Sequence, residues 1–315
     1  MQEEINLVRR GTGGSLKEVA PGVAYMTVVF ANVYAVGEPG GGCWVLVDSG
    51  LPKFSGHLRR ALAERYGEGA RPEAIVLTHG HFDHAGSALE LAERWDVPVY
   101  AHRLELPYLT GKSDYPPQDP TVGGTLAQMS RFFPHSGYDF GARVQPLPAD
   151  GHLPGMPEWR AYHTPGHTAG HASLFRERDR VLLAGDALAT VDQDSPFGMV
   201  VQKPEFRRPP APFTTDWGAA RESVALLASL RPETVGAGHG LPMTGAGVAA
   251  KLEEFSARFT PPRRGRYVAR PARADETGVI ELPPPVPDPL PKIAAGVALA
   301  AVGAAALIAL TRRRR

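Results

Sequence analysis

Four short apolar runs in this chain each end in a side chain that can hold a metal. Residues 75–78 run into His79-Gly80-His81-Phe82-Asp83-His84, and residues 181–184 into Gly185-Asp186. Residues 235–238 run into His239-Gly240, and the run Cys43-Trp44-Val45-Leu46-Val47 ends in Asp48-Ser49-Gly50. The end of a strand fixes the backbone and leaves the following loop free to turn its side chains toward one point. A chain built this way is constrained to layered sheets whose strand ends share an edge. A further cluster, His163-Thr164-Pro165-Gly166-His167-Thr168-Ala169-Gly170-His171, is stiffened by its proline and supplies more imidazoles.

Composition sharpens this. There are 11 histidines and one cysteine, Cys43, so no internal disulfide and no cysteine-based zinc finger can form. Any metal is held by nitrogen and oxygen, a donor set that suits zinc first and iron or manganese less specifically. Cys43 itself reads as a small buried hydrophobe. With 43% hydrophobic and 21% charged residues the chain is globular. Its 34 basic and 33 acidic residues, a net charge of +1, give no footprint for nucleic acid.

Along the chain, residues 23–36 and 43–48 read as strands, with a helix over about 56–66 that Ser55 can cap. A strand over 75–78, a helix over 85–95 and a strand over 98–101 follow. Residues 103–150 break the rhythm with prolines, glycines and aromatics. Strands resume over 159–162, 172–175 and 181–184. A helix over 216–230 started by Asp216, a strand over 235–238 and a helix over 243–258 complete the body. The alternation indicates an α/β layered fold. Nine prolines in residues 260–291 read as an extended linker, so the expected division is 1–259, 260–291 and 292–315.

The ordered set of Asp48, the His79–His84 run, His167 in Thr-Pro-Gly-His-Thr, Asp186 in Gly-Asp-Ala and His239 in Gly-His-Gly resembles the metallo-β-lactamase-fold hydrolases over about residues 20–250. The resemblance implies an αββα sandwich with two divalent ions at one edge. It places His79, His81 and His167 on the first ion, Asp83, His84 and His239 on the second, and Asp186 between them. Asp48 would orient a ligand or its loop. His163 and His171 would support the centre from behind, whereas His57, His102, His135 and His152 have no motif around them.

Two such ions bring a shared water toward neutral pKa and polarise a carbonyl. The implied reaction is hydrolysis of an ester, lactone, thioester or amide of a small molecule by a metal-bridging hydroxide, with Asp83 and Asp186 as the catalytic carboxylates. Asp83 would orient the water or shuttle its proton. True zinc β-lactamases would favour Cys where Asp186 stands, and flavodiiron oxidoreductases would favour Glu in place of His81. Glyoxalase II-type thioesterases share the motifs but carry a helical C-terminal domain in place of this Pro-rich stretch. The alternative from another class is a mononuclear iron persulfide dioxygenase. The aromatics of 103–150 and 190–215, Tyr108 and Phe132 among them, are expected to form the substrate pocket.

Residues 293–310 are eighteen apolar residues, followed by Arg312–Arg315. Five of the 34 basic residues lie in 292–315 with no acid, which leaves 29 against 33 and a net of −4 for residues 1–291. As a helix the apolar run would extend about 27 Å, close to the thickness of a hydrocarbon core. The expectation is a membrane-anchoring helix. The trailing arginines favour the cytoplasmic side, but no secretory signal is visible at the N-terminus, so the catalytic domain is placed in the cytoplasm.

Overall fold

A computed structural model of the chain describes residues 6–7 and 14–288. Two seven-stranded sheets dominate it. In the first, Lys17–Ala20, Val23–Val28, Ala31–Val36 and Val45–Val47 pair antiparallel. Ala74–Val76, Val99–Ala101 and Val144–Pro146 then extend it in parallel. Parallel neighbours need a crossover, and the helices Ser55–Tyr66 and Ala88–Trp95 provide the first two. The second sheet runs Asn6–Leu7, Met243–Thr244, Thr234–Ala237, Val181–Gly185, Ala172–Arg176, Met156–His163, His152–Leu153. Its one parallel pair among these, Val181–Gly185 with Thr234–Ala237, is bridged by the helix Trp217–Ser229.

The layering follows from the two-residue period of a strand. Along Val181–Gly185, Val181 and Leu183 join Trp159, Leu174 and the first sheet's Val45 and Ile75 in one core. Leu182 and Ala184 point the other way and pack with Leu227, Val248 and Leu252 of the outer helices. The run is unbroken in apolarity because both of its faces are buried. Leu58, Ala61 and Leu62 of Ser55–Tyr66 and Leu91 and Ala92 of Ala88–Trp95 cover the first sheet's outer side. The result is an αββα sandwich in which each buried leucine contributes about 2 kcal/mol.

Several elements differ from the sequence reading. Residues 23–36 form a hairpin that turns at Val29, whose φ of 60° is carried without glycine. Ser55 is the first helical residue of Ser55–Tyr66 and does not cap it; Phe54 occupies the cap position, with no side-chain bond. The helix expected over 85–95 is two pieces, Phe82–Ala85 and Ala88–Trp95. The helix expected from 243 starts at Val248, after the Met243–Thr244 strand. Asp216 does cap its helix, its Oδ1 accepting from the Ala219 N–H at 3.0 Å.

The Pro-rich stretch is not a free linker over its first part. The chain divides into two compact units between Pro283 and Pro284. Within the first unit, Arg273–Asp275 and Gly278–Glu281 pair as a hairpin. The Val279 N–H donates to Ser113 Oγ at 3.2 Å, the Ala272 N–H to the Thr215 carbonyl at 3.0 Å, and the buried Tyr267 hydroxyl to the Pro117 carbonyl at 2.6 Å. Proline content suggested an extended chain, but Tyr267 and Val268 supply apolar anchors, Val268 packing on the cluster of Val122, Trp217 and Phe259. Of the second unit, residues 284–288 are described and carry no regular secondary structure.

The membrane-anchor expectation is corrected. Among the described residues no helix is long and apolar enough to cross a membrane. The run 293–310 that prompted it, and the placement at a membrane that followed, lie on residues outside those described.

Candidate metal centre

The strand ends deliver their polar residues to one edge of the sandwich. His79, Asp83, His84, His167, Asp186 and His239 are all buried, and His81 is half-buried. Their donor atoms form three overlapping groups, each within 4.8 Å: His79, His81 and His167; His79, His84 and Asp186; Asp83, His84 and His239. Asp186 Oδ2 lies 3.5 Å from His167 Nε2, 3.5 Å from His84 Nε2 and 3.1 Å from His239 Nε2. Among the described residues it is the one carboxylate that faces both sides of the cluster.

Three of the imidazoles, His79, His84 and His239, are oriented through the nitrogen that points away. Asp48 accepts from the Thr78 N–H and hydroxyl, both at 2.8 Å, and its Oδ2 lies 2.8 Å from His84 Nδ1. The Thr78 hydroxyl is thereby spent as a donor, so its oxygen accepts from His79 Nδ1–H at 3.1 Å. His239 Nδ1–H donates to the Phe30 carbonyl at 3.0 Å. These bonds fix the ring orientations and turn Nε2 of His79, His84 and His239 inward. Asp48 holds its pose in the left-handed backbone region, at φ 58°.

His171 takes a different part. Its Nε2 accepts the Asp186 N–H at 2.9 Å and its Nδ1 lies 2.9 Å from the Thr164 hydroxyl, so both nitrogens are used in placing the Asp186 backbone. His163 stands apart at the surface. Its ring stacks on His102 at 4.0 Å and its Nε2 lies 2.8 Å from the Ala169 carbonyl.

The residues present fit a divalent ion. Buried polar atoms are normally hydrogen-bonded, yet His79 Nε2, His84 Nε2, His167 Nδ1 and Asp186 Oδ1 have no partner. His81 Nδ1 and His167 Nε2 face each other at 3.0 Å, two ring nitrogens for which a cation is a natural third party. Burial and neighbouring imidazoles hold His79 and His167 well below the usual histidine range and His81 down to about 3, which keeps them in the neutral, ligating form. Burial acts to raise the Asp186 carboxyl, but His239 and His84 outweigh it and keep it ionised.

Over this edge opens a pocket walled by Phe30, Phe82, Phe133, Phe213, Met129 and Met199, with His81, Asp83, His167, Asp186 and His239 at its floor. The regions 103–150 and 190–215 contribute to it, but not through the two aromatics singled out from sequence. Tyr108 is 1% exposed and stacks on Tyr115, while Phe132 is 86% exposed and points away. Sequence reading gave no site role to Thr78 or Glu105 and counted Tyr115 only among the aromatics of 103–150. Glu105 is fully buried and accepts hydrogen bonds from both histidine loops. The run Glu105–Gly111 does not by itself show this role, because the partners Gly80 and Gly170 are distant in sequence.

A family model described as the metallo-beta-lactamase superfamily matches residues 26–239. A probable metallo-hydrolase of Bacillus subtilis, YflN, is 47% identical over 255 residues, covering 80% of this chain and 96% of its own length. A second from the same organism, YybB, is 32% identical over 198 residues, covering 62% of this chain and 74% of its own. Among solved structures, a beta-lactamase domain protein from Burkholderia ambifaria superposes with a TM-score of 0.54 at 22% identity, covering 80% of each chain, a likeness of fold.

Proposed function

The chain belongs to the metallo-β-lactamase superfamily, and from that premise we propose that it hydrolyses an ester, lactone, thioester or amide bond in a small, uncharged, largely apolar molecule. His79, His81 and His167 would hold one divalent ion and Asp83, His84 and His239 a second, with Asp186 facing both. When bound, such ions lower the pKa of water and polarise a carbonyl oxygen. Zinc suits the nitrogen and oxygen donor set, as do iron and manganese.

The chain's own residues do the rest. Asp186, ionised and pinned through its N–H by His171, keeps the histidines at fixed distances. Asp83 Oδ2, 3.5 Å from His239 Nε2, is the second carboxylate at the pocket floor and the group placed to orient a water or take up its proton. The phenylalanine wall excludes bulk water and orients an apolar substituent over the ligands.

The observation that carries the substrate class is the lining of this pocket, where aromatic and thioether side chains meet the ligands and, among the described residues, neither lysine nor arginine takes part. A polyanionic thioester would find no basic side chain there to pair with its remote carboxylates. The mononuclear iron alternative is less well supported, because two ligand groups with no residue in common are available. The test is kcat/KM for matched aryl esters, lactones and a glutathione thioester, with metal content measured alongside. Preference for the uncharged substrates at two ions per chain is expected. Preference for the glutathione thioester would overturn the substrate class; one iron per chain with oxygen consumption on a persulfide would overturn the hydrolase.

A further inference from the structure

We propose that Glu105 is a positioning residue that holds the two histidine-bearing loops in register and so sets how tightly the His79, His81 and His167 group retains its ion; this rests on the metal-centre reading above. Its side chain is 0% exposed and meets four donors. Oε2 accepts from the Gly80 N–H at 3.0 Å and from the Tyr115 hydroxyl. Oε1 accepts from the Thr168 hydroxyl at 2.6 Å and from the Gly170 N–H at 3.0 Å. One oxygen thus grips the loop between His79 and His81, and the other grips the loop that follows His167.

Both loops come this close only because glycine stands at each contact. A Cβ on Gly170 would fall 2.6 Å from the Glu105 backbone nitrogen, and one on Gly80 would collide with the Tyr115 hydroxyl. Tyr115, anchored by the same carboxylate, packs its ring 4.5 Å from that of His81. The other ligand group is held by different means. His84 is oriented by Asp48, its carbonyl accepts from the Ser49 hydroxyl at 2.8 Å, and His239 is oriented by the Phe30 carbonyl. Loss of Glu105 should therefore act on one ion and not on both.

The donor count makes the isosteric variant informative. All four partners donate, and the Gly80 and Gly170 N–H groups cannot turn into acceptors. In Glu105→Gln the side-chain NH2 must face one of those two N–H groups, whichever way the amide lies. Shape is conserved and one loop is released.

The experiment compares full-length wild type and Glu105→Gln loaded with Co2+. A competing chelator titration, the Co2+ absorption spectrum and far-UV circular dichroism are read together. Wild type is expected to bind two ions. The variant should keep its fold, hold one ion as before and release the other at about 10- to 100-fold weaker affinity, with the corresponding band lost. Two ions with unchanged affinity and spectrum in the variant would overturn the role of Glu105 alone. Equal weakening of both ions would reduce Glu105 to a structural strut and also overturn it. Absence of any bound ion in wild type would overturn the metal-centre reading itself. Should Glu105→Gln fail to fold, Thr168→Val removes one donor from the His167 loop and leaves the backbone bond of Gly170. It should weaken the same single ion by a smaller factor, and an unchanged affinity would count against the proposal.

Discussion

The strand Ala172–Arg176 meets a buried polar group at each end, and the two are finished in opposite ways. Arg176 is 1% exposed, yet its guanidinium is fully engaged. Its Nε and Nη2 donate to the two oxygens of Asp179, each at 2.7 Å, and Nη2 also to the Pro21 carbonyl at 2.8 Å. Glu158 lies 3.6 Å away, and the guanidinium sits over the Trp159 ring at 5.0 Å. At the other end His171 opens onto a cluster in which four buried nitrogen and oxygen atoms have no partner. A buried charge costs several kcal/mol unless it is paired. The fold meets that cost from its own residues at Arg176, whereas around Asp186 it leaves one carboxylate oxygen and three imidazole nitrogens without a hydrogen-bond partner. A closed polar site supports structure; an open one invites chemistry.

The sharpest way to break this contrast is at its open end. Asp186→Ala should remove bound metal and lower kcat/KM by about a thousandfold or more, since several kcal/mol of charge stabilisation go with the ions. Full activity in that variant would sink the mechanism. Next is the closed end. Arg176→Met should lower the free energy of unfolding by about 2–4 kcal/mol, measured by denaturant titration, while leaving metal content intact. The separation is the test: adding divalent ion at a thousandfold over its Kd should raise stability by about 4 kcal/mol in Arg176→Met as in wild type, and not in Asp186→Ala.

A smaller effect is expected in the pocket. Phe133→Ala and Phe213→Ala should each cost about tenfold in kcat/KM for aryl esters, mainly through KM, with both ions retained. Unchanged kinetics would remove the apolar wall from the account of specificity.

The smallest effect concerns His102 and His163, stacked beside the open end but outside every ligand group. Burial first, then the charges of His163 and Arg103, lower His102 to about 4, and burial lowers His163. The unfolded imidazoles take up protons near 6.5 that the folded pair refuses. Stability from this pair is therefore full above about pH 6.5 and is lost as pH falls toward 4. In chelated protein, His102→Gln should lessen the fall in unfolding midpoint across that window, and an unaltered slope would refute it.

The ligand-bearing strand ends were legible because their cause is local. An apolar run followed at once by His79-Gly80-His81 or Gly185-Asp186 states both the strand and what it carries. The residues alone indicated an α/β layered fold and the family resemblance implied the four layers; in the structure Val-Leu-Leu-Ala at 181–184 is apolar throughout because both of its faces are covered. Glu105 was not legible, because its function arises where Gly80 and Gly170, 90 positions apart, converge on one carboxylate. Nor was the turn at Val29, which lacks the glycine that usually marks a positive φ. The course of residues 260–283 was misread through proline composition, when Tyr267 and Val268 were the informative residues.

The hairpin Arg273–Asp275/Gly278–Glu281 begins well past residue 239, where the family match stops. Even so, Ala272 and Ala274 line a small cavity together with His81, Tyr115 and His167. The matched span therefore does not by itself account for every residue that closes around His81 and His167.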